Sequence, residues 1–164
     1  MRTKASISFK KRVLLLLTSC MFITLFSSTV SAEEISIQRI SGGNRYETAL
    51  KIAEEVNPDS TEFLLVSGEN YPDALAGAPL SKGRIPILLT SKNSLDSQAL
   101  TKLRNLSKPK VTILGGELTI SSEVTTELQN EGILYKRISG QNRYETAALI
   151  AKEIRTNQIY VASG

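Results

Sequence analysis

Arg45 and Arg143 hold the same place in two copies of one motif: RISGGNRYETALKIAEE begins at Arg39, and RISGQNRYETAALIAKE begins at Arg137. In each copy an asparagine suited to a helix N-cap precedes the arginine, and a glutamate that can reach back to the cap follows it (Asn44 and Glu47; Asn142 and Glu145). Each cation therefore stands at the first position of a predicted helix, where the macrodipole is positive and a cation costs about 0.3–1 kcal/mol. A nearby anion would offset that cost. Two sources are open: an internal carboxylate, with Asp73 the candidate, or a ligand phosphate or carboxylate gripped by the guanidinium fork. Much of the motif also serves as scaffold, since Tyr46 and Ala49 belong to the apolar stripe of the helix.

The remaining polar candidates sit in loops. Glu69 and Asp73, in SGENYPDA, are four residues apart and could form a carboxylate pair for glycan hydrolysis, or serve as a cap and an internal ion pair. Gly115-Gly116 offers backbone N–H groups next to a helix start near Ser121, a place that can receive an anion. Lys82, Arg84 and Lys92 are optional further anion contacts. Neither GxGxxG nor a GK[ST] phosphate loop occurs. The chain has no histidine, and its one cysteine is Cys20. Histidine-base catalysis, thiol chemistry and the usual zinc sites are thereby excluded, and no metal or cofactor is expected.

Alternating helices and apolar strands must position these groups. Helices are expected at Asn44 to about Val56, Pro72 to about Leu80, along Leu95, Ala99, Leu103 and Leu106 after a cap at Ser94, along Ile120, Val124 and Leu128 up to Gly132, and at Asn142–Ile154. Strands are expected at Phe63–Val66, Pro86–Thr90, Val111–Leu114, Ile133–Tyr135 and Ile159–Ala162. Continuously apolar strands between helices imply a three-layer α/β fold, a parallel sheet flanked by helices. The loops after Val66, Leu89 and Leu114 then gather at one sheet edge, the usual place for a binding crevice.

Residues 1–32 read as a secretory signal peptide: MRTKASISFKKR is basic, VLLLLTSCMFITLF is apolar, and Val30-Ser31-Ala32 fits a small-residue cleavage site. Lipidation of Cys20 is the alternative, and the apolar run is too short for a permanent membrane span. The chain carries a net charge of +4, but Arg2, Lys4, Lys10, Lys11 and Arg12 all lie in this leader. Residues 33–164 are close to neutral, so the bulk charge gives no reason to expect nucleic acid, and any anion site must be local. The organisation that follows is a first repeat unit at 33–136 and the start of a second, truncated one at 137–164.

RISGGNRYETA, LVSGENYPDALAGAPL, IPILLT, VTILGGELTISSEV and RISGQNRYETA, in that order, resemble the cell-wall-binding repeat of type 2 found in secreted surface proteins of Gram-positive bacteria. The resemblance runs from Arg39 to the end. It implies a flavodoxin- or Rossmann-like module without a nucleotide, non-catalytic, that anchors proteins at the cell surface by binding an anionic or teichoic-type wall polymer. It also implies modules grouped in threes, through neighbouring repeats or a homotrimer, with any enzyme in a separate domain. Polymer contacts are expected at Arg45, Tyr46, Asn70, Asp73 and Pro86, Ile87, Leu88 and Leu89, with Arg143 and Tyr144 as repeat equivalents. A small wall-glycan hydrolase and a scaffold unit without binding of its own are the competing functions.

Overall fold

The computed structural model describes residues 36–156, 158 and 161. The leader, its cleavage site and Cys20 lie outside the described residues. So does the strand expected at Ile159–Ala162, except for Val161, which is exposed and in no element. From Arg39 the chain forms one compact unit, and no helix among the described residues is long and apolar enough to cross a membrane.

Among the described residues nine elements follow in strict alternation: α1 (Arg45–Val56), β1 (Glu62–Ser67), α2 (Pro72–Ser81), β2 (Ile87–Thr90), α3 (Ser97–Arg104), β3 (Lys110–Leu114), α4 (Ser122–Asn130), β4 (Leu134–Ile138) and α5 (Arg143–Ile154). The four strands form one sheet in the order β2-β1-β3-β4. Every pair is parallel, with Leu65 level with Leu88 on one side and Ile113 on the other. This is the α/β architecture that the alternation implies. Phe63 to Ser67 of β1 are all buried, as expected of a central strand covered on both faces.

Period-two alternation divides the apolar residues between those faces. On one face Phe63, Leu65, Val111 and Ile113 pack with Leu50 and Ala53 of α1, Ala99 and Leu103 of α3, and Val124 and Leu128 of α4. On the other, Leu64, Val66, Leu114 and Ile138 pack with Ile150 of α5, and Ala74, Ala76 and Leu80 of α2 lean against them. The second copy of the motif thus closes the sheet built by the first.

Both copies of the helix start alike. Asn44 Oδ1 accepts from Glu47 N at 2.9 Å, and Asn142 Oδ1 from Glu145 N at 2.9 Å. The glutamates reach one residue beyond the cap: Glu47 accepts from Gly43 N at 2.7 Å and Glu145 from Gln141 N at 2.8 Å. The motif keeps glycine at 42 and 140 because a Cβ there would lie 2.6 Å from Glu47 Cβ or 2.5 Å from Glu145 Cβ.

Most sequence-based boundaries shift by a residue or two, with Leu95 and Leu106 outside α3 and Ile120 before α4; two of the shifts have a clear cause. The cap of α3 is Asp96, whose Oδ1 accepts from Gln98 N and Ala99 N, rather than Ser94. Ser94 is held in the preceding turn, its carbonyl accepting from Thr90 Oγ1 at 2.8 Å. β4 begins one residue later than expected, and it runs on through Arg137 and Ile138 because Leu114 offers Ile138 a partner.

Loss of a capping side chain costs ~1 kcal/mol. Asp96→Ala is therefore expected to lower unfolding stability by about that amount and Ser94→Ala by clearly less, read by urea denaturation. The reverse order would contradict the cap assignment.

Candidate functional site

Reversal of the winding direction between β1 and β3 splits the loops at their carboxyl ends. A crevice of about 670 Å³ opens there, between the β1–α2 loop, the Gly115-Gly116 turn and the start of α5. Its walls include Asn70, Asp73, Gly116, Glu117, Asn142 and Arg143. A smaller hollow of about 400 Å³ lies along the lower part of the sheet, with Leu134 and Lys136 in its wall.

Bonds between loops fix the upper edge. Gly68 N donates to Thr90 O at 2.8 Å, Ser121 N to Lys92 O at 2.9 Å, and Lys92 N to Glu69 Oε1 at 3.4 Å. The loops after β1, β2 and β3 are thus brought together, as parallel strands require.

Asp73 is the centre of the crevice. It stands in the first turn of α2, near the positive helix terminus, and is only 7% exposed. Its carboxyl lies against the Gly115 turn, where a Cβ would fall 2.6 Å from Asp73 Oδ2 and 2.8 Å from Thr119 Oγ1. Gly115 also has φ of +114°, so only glycine suits this position. Burial raises the Asp73 pKa above the usual aspartate value, and the positive charge of Arg143 partly opposes the rise.

The charge pairing differs from the simplest expectation. Asp73 shares the crevice wall with Arg143, from the second copy, and feels its charge, rather than that of Arg45. Arg45 is exposed, and its Nη1 donates to Gly68 O at 2.5 Å. An internal partner for this cation does exist, but it is a strand-end carbonyl. Tyr46 lies over the same residue, its ring within 2.6 Å of where a Gly68 Cβ would stand. Arg45 and Tyr46 therefore brace the β1–α2 loop from the side away from the crevice wall, whereas Asn70, Asp73 and Arg143 line the crevice itself. Tyr144 is exposed at the start of α5.

Pro86–Leu89 approaches and forms edge strand β2, outside the crevice wall. Leu88 is buried in the α1 face of the core, and Ile87 and Leu89 pack partly buried on the other face. Lys82 and Arg84 lie in the α2–β2 turn at the far end of the strands, so of the three optional cations only Lys92 stands among the upper loops.

The Gly115-Gly116 turn, a possible anion receptor on sequence grounds, is largely spent internally. Gly115 N donates to Ile138 O at 3.0 Å, and Gly115 O accepts from Arg137 Nη1 at 2.8 Å. Arg137 is a site residue that reading the motif for chemistry missed, although it opens the second copy. Its Nη2 is buried without a hydrogen-bond partner. Burial lowers its pKa, opposed by the charge of Glu117. Through the Gly115 carbonyl this guanidinium braces the turn next to the crevice without being part of its wall.

The chain matches the family described as cell wall binding domain 2 over residues 39–125. It is 34% identical over 151 residues to the N-acetylmuramoyl-L-alanine amidase LytC of Bacillus subtilis, covering 90% of this chain and 30% of the amidase. With the amidase enhancer of the same organism it shares 31% identity over 127 residues, covering 76% of this chain and 18% of that one. Among solved structures, Cwp6 from Clostridium difficile superposes with a TM-score of 0.66 at 29% identity, covering 77% of this chain and 21% of that one. The chain thus spans less than a third of each of these relatives.

Because the Asp73 pKa is raised above its ordinary 3.8, the folded state holds this proton more tightly than the unfolded state does. The contribution is unfavourable above the folded pKa and is relieved as pH falls through it toward 3.8. Glu47, Glu123 and Glu131, whose pKa values are lowered, act in the opposite sense and lose stabilisation as pH falls through their folded values. Asp73→Asn removes only the first contribution. The melting temperature of the wild type is expected to gain on that of the variant as pH drops from neutral into the mildly acidic range; parallel curves would contradict it.

Proposed function

Because the match over residues 39–125 shows that this chain belongs to the cell wall binding domain 2 family, we propose that it is a secreted, non-catalytic module that grips an anionic polymer of the Gram-positive wall at the crevice. Cell wall association is the function of the family, and the polymer and the contact residues are the proposal. The observation that carries it is a crevice whose wall holds both an exposed arginine, Arg143, and the buried carboxyl of Asp73, next to the Gly115 carbonyl that Arg137 holds.

Arg143 is exposed at the crevice wall near Asp73, so its fork offers donors for a phosphate or carboxylate of the polymer. Asn70 stands on the same wall and can hydrogen-bond sugar hydroxyls. Tyr144 presents an exposed ring beside Arg143, suited to packing against a sugar face. Arg45 and Tyr46, which hold the β1–α2 loop at Gly68, would offer the polymer contacts outside the crevice. Pro86–Leu89 enters through strand β2, which sets the level of the upper loops.

Hydrolysis by Glu69 and Asp73 has less support. Glu69 bonds to the β2–α3 loop through Lys92 N, while Asp73 is lodged against Gly115, so the two carboxylates serve different contacts. The amidase named among the relatives is matched over 30% of its length, and the family resemblance implies that an enzyme, where a relative has one, is a separate domain.

Co-sedimentation with purified Gram-positive walls tests this proposal. Arg143→Ala is expected to weaken binding about tenfold, the worth of one charge-assisted hydrogen bond of ~1.5 kcal/mol, with the fold retained by circular dichroism. Added salt and prior extraction of the anionic polymer should each reduce binding. Undiminished binding to extracted walls, or by the variant, would overturn it.

A further inference from the structure

The crevice carries both signs of charge. Its walls hold three charged side chains, Asp73, Glu117 and Arg143, two acids to one base. A polymer bearing only negative charge would meet more acid than base there, and like charges brought together cost affinity. The two acids stand in different settings. Asp73 is buried in the first turn of α2, where the helix end and the charge of Arg143 both offset its own. Glu117 is exposed in the turn after β3, outside any helix.

Glu117 is not spent on the protein itself. Among the described residues no hydrogen bond or salt bridge engages its carboxylate at contact distance, and none joins it to Arg143 across the crevice. Its charge does reach Arg137, but that guanidinium lies outside the crevice wall and donates to Gly115 O at 2.8 Å. Arg143 is likewise exposed and unbonded at contact distance, and it opens α5, where the helix end adds partial positive charge. The crevice is therefore positive along the start of α5 and negative at the lip formed by the turn after β3.

We propose that the crevice selects a zwitterionic sugar unit, one that brings a phosphate or carboxylate to Arg143 and a free ammonium to Glu117. This rests on the crevice being the place of polymer attachment, and it narrows the polymer to one whose acidic units also carry an unblocked amine. Glu117 is then a specificity-determining residue. Against a purely anionic unit it acts by repulsion, and only a unit with its own cation turns that repulsion into an ion pair. The arginine supplies the grip on the anion, and the glutamate decides which anionic sugars keep it.

Two sugars that share a phosphate and differ in the ammonium test this: glucosamine-6-phosphate and N-acetylglucosamine-6-phosphate. Each is titrated at neutral pH into the isotope-labelled protein, with amide shifts at Gly116, Glu117 and Arg143 as the readout and a chelator present, so that no metal ion stands in for the ammonium. The amine sugar is expected to bind about threefold more tightly than its acetylated form, the worth of one solvent-exposed ion pair. Glu117→Gln, an isosteric change on an exposed turn, should remove that preference by weakening the amine sugar while the acetylated one binds at least as well as before. Arg143→Ala should weaken both. Equal affinities in the wild type, or a preference that persists in Glu117→Gln, would overturn this inference and leave the anion site standing. Binding of neither sugar in the crevice would overturn both.

Discussion

A four-stranded parallel sheet has two apolar faces, and both must be covered for the strands to bury Phe63 to Val66 as they do. α1, α3 and α4 close one face from within the first copy of the repeat. The other has only the short, small-residue helix α2 from that copy. Ile150, brought by the second copy, completes it with Leu64, Val66, Leu114 and Ile138. Everything at the upper edge depends on this closure, because α5 carries Arg143 to Asp73 only when its side chains are seated.

The electrostatics of the crevice follow from the same packing. Seating α5 desolvates Asp73, which alone would favour the neutral acid, and at the same time supplies the guanidinium that opposes the shift. Arg137, one strand-end away, holds the Gly115 carbonyl and leaves a second nitrogen without a partner. A carboxylate, two cations and a glycine turn are thus held together by parts of both repeat copies. In the proposed function, an anionic sugar polymer would bring acidic oxygens to the guanidinium, hydroxyls to Asn70 and a ring face to an exposed tyrosine.

Much of this was legible in the sequence because the signals were local. Strand runs such as Phe63–Val66, the Asn44 and Asn142 caps, and the Pro72 helix start each depend on neighbours within a few residues. The parallel sheet and the gathering of its upper loops followed from alternation. What the letters could not supply was partner choice across the sheet. Asp73 lies close in sequence to Arg45 but shares the crevice wall with Arg143, since that is decided by which side of the sheet α5 covers. Ser94 gave way to Asp96 because Thr90 claims the Ser94 carbonyl in the preceding turn. The buried role of Arg137 depends on β4 continuing past Tyr135, a pairing that only the length of β3 determines.

The most direct measurement is nuclear magnetic resonance of the isotope-labelled protein titrated with purified anionic wall polymer. Amide shifts concentrated at Asn70, Asp73, Gly116 and the Asn142–Arg143 turn are the predicted result. Shifts confined to the far hollow around Leu134 and Lys136, or no shifts at saturating polymer, would contradict the crevice as the place of attachment.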